Sequence, residues 1–160
     1  MNNLLLEETN LKVAMAPHDA DTVVAGARVS LAKGESVAII INLGTSTGAA
    51  VVASLQQHNA ASGGTSKALE IDNPIFHKKS ADTVFTKVEP SAKASSFDYS
   101  TQFASDSGLL VLEVKQEDLD VNGDFTHISV DLADATVAKL VSAVYAVEDA
   151  RNLPAYAQAL

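Results

Sequence analysis

The sequence predicts an all-β fold, an antiparallel β-sandwich or jelly-roll-like small barrel of about seven to nine short strands. Three observations carry that expectation. Apolar segments rich in Val, Ile, Leu and Phe recur roughly every ten residues, with Gly, Pro, Asn, Asp and Ser between them. Several of them alternate apolar with polar residues, the two-residue period of a half-buried strand. The densest apolar run is β-branched, and β-branched side chains lose rotamer freedom in a helix.

Taken in order, residues 1–12 read as an N-terminal arm, where Leu4, Leu5 and Leu6 sit among Asn, Glu and Thr without a sustained period. A single β-rich domain spans 13–151, and residues 152–160, with Pro154, form a C-terminal tail. Strand character begins at Val23–Val24 and Arg28–Leu31, followed by the turn signal Lys33-Gly34-Glu35. Val37–Leu43, with three consecutive isoleucines, reads as a strand buried on both faces. Ala49–Gln57 pairs with it as a hairpin across the loop Gly44–Gly48. Asn59–Ser66 is a Gly-rich turn. Short strands follow at Leu69–Ile71, Ile75–His77 and Val84–Val88, punctuated by Pro74 and Pro90.

Phe97, Tyr99, Thr101 and Phe103 alternate with polar residues and read as an aromatic strand. Leu109–Lys115 places Leu110, Leu112 and Val114 on one face. Gln116–Asp124 is an acidic turn centred on the hairpin signal Asn122-Gly123. Ile128, Val130 and Leu132 then point inward, and His127, Ser129 and Asp131 outward. Val137–Val147 fits a helical face through Leu140, Val141 and Val144, and a strand face through Val141, Ala143, Tyr145 and Val147. Its β-branched content favours the strand.

With 160 residues the chain suits one domain that buries its core without staples. The net charge of −9 repels phosphate backbones, and the densest basic cluster, His77-Lys78-Lys79, is too short to track one; nucleic-acid binding is not expected. The absence of cysteine excludes disulfides, thiol catalysis and thiolate metal sites. Leu4-Leu5-Leu6, followed by Glu7-Glu8, is too short for a secretory core, and no apolar run reaches the roughly 18 residues of a membrane helix. A soluble protein made in a cytoplasm, without a membrane partner, is the expectation.

No constellation for catalysis stands out. His18, His58, His77 and His127 lack the local spacing of a metal motif. His18, in Pro17-His18-Asp19-Ala20-Asp21, reads as part of a polar loop, and His127 as a surface residue. Gly44-Thr45-Ser46-Thr47-Gly48 has the glycine spacing of a nucleophile elbow but no strand-to-helix context. Gly63-Gly64-Thr65-Ser66-Lys67 lacks the first glycine of a phosphate-binding loop. Asp118, Asp120, Asn122 and Asp124 are the candidate metal ligands, because oxygen ligands at alternate positions with Gly123 after the third open a calcium loop. The twelfth position is Ser129 where a bidentate Glu completes such a shell, so the segment reads as an acidic turn and no cofactor is expected. The expected protein is not an enzyme.

Two stretches carry a resemblance to a known family. One is Leu55-Gln56-Gln57, the small-residue loop after it, and Lys67-Ala68-Leu69; the other is Glu117-Asp118-Leu119-Asp120-Val121-Asn122-Gly123-Asp124-Phe125, followed by a strand and then Leu140–Arg151. Together they resemble a family of small virion proteins encoded in the structural-gene region of tailed bacteriophages. Order and spacing match over roughly residues 23–151, with Phe76–Val84 departing from the pattern.

The resemblance implies a capsid decoration or cement protein, docked on the major capsid protein lattice at the head surface of the virion and made in the host bacterial cytoplasm. It implies no catalytic residues. A homo-oligomer, with a trimer favoured, matches three-fold lattice positions. Leu4, Leu5 and Leu6 are the expected partner-binding residues, an apolar anchor on the arm. Two alternatives stand beside it: a tail tube, tail terminator or connector subunit, and a carbohydrate-binding β-sandwich with Phe97, Tyr99 or Tyr145 as the sugar platform.

Overall fold

The computed structural model describes residues 9–32 and 34–149. They form twelve strands: β1 (Thr9–Asp19), β2 (Val24–Ala25), β3 (Val29–Ser30), β4 (Gly34–Leu43), β5 (Val52–His58), β6 (Ser66–Ala68), β7 (Ile75–Lys79), β8 (Thr86–Val88), β9 (Ser96–Asp98), β10 (Gly108–Lys115), β11 (His127–Leu132) and β12 (Leu140–Asp149). One short helix, α1 (Ser100–Phe103), lies between β9 and β10. Sheet I has the order β1-β12-β4-β10-β7-β8. Sheet II has the order β2-β11-β5-β6, with β3 also on β11 and β9 also on β5. Every strand pairing is antiparallel. The fold is an antiparallel β-sandwich, and the strands beyond the expected number are two- and three-residue pieces on sheet edges.

The two inner faces close on one core. Ile39, Ile41, Leu110, Leu112, Ala143 and Tyr145 come from sheet I, and Ala53, Leu55, Ile128 and Val130 from sheet II. Each set occupies alternate positions of its strand, so the two-residue period alone sorts inside from outside. Tyr145 ties the layers together. Its hydroxyl accepts from the Val130 N–H (3.1 Å) and donates to the Ala27 carbonyl (2.9 Å). Burial pushes its pKa above the ordinary tyrosine value. Gly26 permits this closeness, because a Cβ there would lie 2.4 Å from the Val130 carbonyl oxygen.

Several expectations are corrected. β4 and β5 are not a hairpin. Both edges of β4 are taken by β10 and β12, and the intervening loop bonds to Ala104 (Gly48 N–H 3.2 Å, Ala49 N–H 2.9 Å), carrying the chain to sheet II. Val37–Leu43 is not buried on both faces: Val37, Ile39, Ile41 and Leu43 are buried, whereas Ile40 is half-buried and Asn42 exposed. The strand begins at Gly34, inside the expected turn.

The aromatic strand stops at Asp98. The Asp98 carboxylate accepts from the Ser100 N–H (2.8 Å), and the Phe103 N–H then bonds to the Tyr99 carbonyl (2.9 Å) in α1. One helical turn also brings Phe103 inward beside Tyr99, so the buried pattern survives the change of structure. The acidic segment is no hairpin turn either, since β10 and β11 lie in different sheets. Two 3₁₀ turns, Gln116–Asp118 and Val121–Gly123, bridge them, and the left-handed residue is Asp124 (φ 61°).

Val141, Ala143, Tyr145 and Val147 form the buried face of β12, so the ambiguous segment is strand over those residues. β1 begins at Thr9 and runs through the boundary expected at residue 12, pairing Thr9–Val13 with Val144–Glu148. Leu4, Leu5 and Leu6, and the tail 152–160, lie outside the described residues. Among the described residues no helix is long and apolar enough to cross a membrane.

Candidate functional site

The four candidate metal ligands do not converge. Asp118 accepts from the Lys115 N–H (2.8 Å) and from Asn73 Nδ2 (2.6 Å). Asp120 accepts from the Gly123 N–H (3.1 Å) and pairs with the Lys67 ammonium. The Lys67 contact, then the Gly123 N–H, hold the Asp120 carboxyl below its ordinary pKa. Asn122 is exposed, and Asp124 supplies the left-handed turn. Among the described residues no three His, Asp or Glu side chains are placed to hold a metal ion.

What the loop does is clasp a hairpin. The Asp120 N–H donates to Gln57 Oε1 (2.9 Å), and Gln57 Nε2 donates to the Ala68 carbonyl (3.2 Å). Lys67 lies 4.5 Å from the centre of the Phe125 ring. Gln57 is on β5, Lys67 on β6, and Asp120 and Phe125 on the acidic loop. The two stretches singled out in the sequence therefore meet in space.

Other motifs are also spent on structure. The Ser46 hydroxyl donates to the Ala104 carbonyl, and accepts from the Ala49 N–H at 3.4 Å. It also accepts from Lys139 Nζ at 3.4 Å. Lys139, only 1% exposed, further donates to the carbonyls of Phe103 (2.7 Å) and Asp106 (3.2 Å). Burial lowers its pKa, with Asp106 opposing the shift. Sequence reading passed over this residue, although strand parity marks it: Lys139 shares the odd-numbered face of Val141, Ala143, Tyr145 and Val147. Phe97 and Tyr99 line an open depression of about 310 Å³, but both rings are more than nine-tenths buried, as is Tyr145. None of the three offers an exposed face for a sugar to stack on.

A second polar cluster covers the outer face of sheet II. His58 Nδ1 meets the Ser66 hydroxyl (2.7 Å), and His58 Nε2 meets the Ser129 hydroxyl (2.9 Å). Ser129 donates in turn to Asp131 (3.4 Å). Arg28 donates to the carbonyls of Ala60 (2.9 Å) and Gly63 (2.6 Å), fastening the Gly-rich loop beside the cluster. Burial first, then Arg28 and His127, lower the His58 pKa. Burial first, then Arg28 and Lys12, lower that of His127, which is half-buried on this outward face. Burial raises the Asp131 pKa.

The residue types are those of a catalytic triad, but the order is wrong. A triad places histidine between serine and carboxylate; here Ser129 lies between His58 and Asp131 and is 3% exposed.

The outer face of sheet I is the opposite. The registers align Val13 (β1), Val144 (β12), Ile40 (β4), Val111 (β10) and Phe76 (β7) in one row across the sheet. Val13 is 66% exposed, and Phe85, 46% exposed, extends the row over a shallow depression of about 290 Å³ with Phe76, Val111 and Glu113. Comparison of the chain with known protein families, curated proteins and solved structures returns no match.

Proposed function

We propose that this chain is a structural component of a tailed-phage particle, a capsid decoration protein that binds and stabilises the expanded head shell. The observation that supports the reading is the clasp. The two sequence stretches that resemble the virion family meet through Gln57, Lys67, Asp120 and Phe125. The resemblance therefore concerns one mechanical unit, a hairpin locked to a turn. Among the described residues Ser46, Gln57, His58, Asp118 and Asp120 all have hydrogen-bond partners within the fold, which fits a protein whose work is done by its surface. A net charge of −9 keeps such a protein soluble before assembly.

The test is to mix the purified protein with expanded, undecorated heads, sediment them, and image the pellet by cryo-electron microscopy. The reading expects saturable binding at regular lattice positions and heads that melt at higher temperature. Immunogold labelling confined to tails, or hexameric rings of the purified protein, overturns it in favour of a tail subunit.

A further inference from the structure

We propose that a second copy of this chain covers the outer face of sheet I, the two sheets stacking face to face about a twofold axis. The inference does not rest on the phage reading. It starts from the row Val13, Val144, Ile40, Val111 and Phe76, which spans five of the six strands and continues onto Phe85. An antiparallel sheet with one face on the core ordinarily turns polar residues outward. A contiguous apolar band marks an interaction surface.

The charges beside the band favour a copy of itself as occupant. Lys78 flanks the row on the Leu109 side, and Glu113 flanks it on the other. Among the described residues neither has an ion-pair partner. They stand two rows apart, roughly 13 Å along the strands, and the Lys78 ammonium lies 5.8 Å from the centre of the Phe85 ring. A twofold axis along the row lays each flank over the opposite flank of the partner. Lys78 of one copy then reaches Glu113 of the other, on the neighbouring strand, twice per dimer. The small outward residues Ala38 and Ala146 let the sheets approach.

Six strands by three rows bury on the order of 1,000 Å² in total, near the floor for a specific interface. A self-complementary face suits twofold symmetry. A cyclic trimer joins two different patches and leaves this face unpaired.

Sedimentation velocity of the full chain, from about 1 to about 100 µM, is the test. The expected species at the top of the range has twice the 16.7 kDa chain mass. Val111→Asp, in the middle of the row, is expected to weaken association at least about 100-fold. Lys78→Glu, which sets like charges opposite each other, is expected to weaken it about 10-fold, and adding Glu113→Lys to restore it. Circular dichroism checks the folding of each variant, and the charge-swap pair decides the matter should Val111→Asp fail to fold. A monomer throughout, a trimer, or a dimer indifferent to the charge swaps overturns the proposal.

Discussion

On the outer face of sheet II, His58 sits between two hydroxyls, Ser129 reaches Asp131, and Arg28 holds the Gly-rich loop beside them. On the outer face of sheet I, Val13, Val144, Ile40 and Val111 stand in an apolar row, with Phe85 beside Val111 at one end. Each is the outward face of a sheet whose other side packs on the core. The difference lies in what the connections do. The loop after β5 folds back beside sheet II, so its outward polar groups are buried with partners. No described connection covers the middle of sheet I. Outward residues on sheet II such as His58 and Ser129 thus stabilise this molecule, whereas the apolar row on sheet I is the face proposed to meet a second copy.

The largest effects are expected where buried polar groups have full sets of partners. Lys139→Ala leaves the carbonyls of Phe103 and Asp106 without a donor, and is expected to cost about 3–4 kcal/mol, read from the urea midpoint. Lys139→Met keeps the aliphatic stem and removes the burden of a buried charge, so it should lose about half as much. Equal losses for the two would show that the ammonium and its hydrogen bonds, not the packing of the stem, matter there. On sheet II, His58→Leu takes one partner from the buried Ser129 hydroxyl and one from Ser66, with an expected loss of about 1–2 kcal/mol.

The polar face also makes stability depend on pH. His58 and His127 both have pKa values lowered on folding, chiefly by burial. The native state therefore binds protons more weakly than the unfolded chain. Their contribution is fully present above the ordinary histidine pKa of about 6.5 and is lost as pH falls below it toward the folded values. The Asp131 carboxyl, raised by burial, acts in the opposite sense, with its pKa moved up from the ordinary aspartate value. The urea midpoint should hold above about pH 6.5 and drop below it, and the double variant His58→Gln, His127→Asn should flatten that drop.

The sheet fold was legible because alternation survives in long strands: β10, β11 and β12 keep their expected faces residue by residue. Local pairing was not legible. Gly44–Gly48 and Asn122-Gly123 look like hairpin turns, yet each carries the chain from one sheet to the other, because the free edge of the preceding strand is taken by a segment distant in sequence. The clasp was half visible. Its two segments stood out, but their meeting through Gln57, Lys67 and Asp120 spans 63 and 53 residues of chain, beyond any local pattern. Lys139 was readable by parity and was missed because a lysine is ordinarily assigned to solvent.

The smallest expected effect separates the inner and outer faces most cleanly. Val111 and Val130 are both central strand valines. Val130 faces the core and is fully buried; Val111 faces outward in the apolar row. Threonine has nearly the shape of valine and a similar strand preference, so the two substitutions differ mainly in where they put a hydroxyl. Val130→Thr forces that hydroxyl into the core and should cost about 1–3 kcal/mol. Val111→Thr should change the unfolding free energy of the dilute monomer by less than about 0.5 kcal/mol. The measurement belongs at concentrations below dimerisation, because association adds stability by mass action. At higher concentration Val111→Thr should then lose the concentration dependence that the unaltered chain shows. A large loss in the dilute monomer would mean that the row is already covered within a single chain, and would erase the contrast between the two faces.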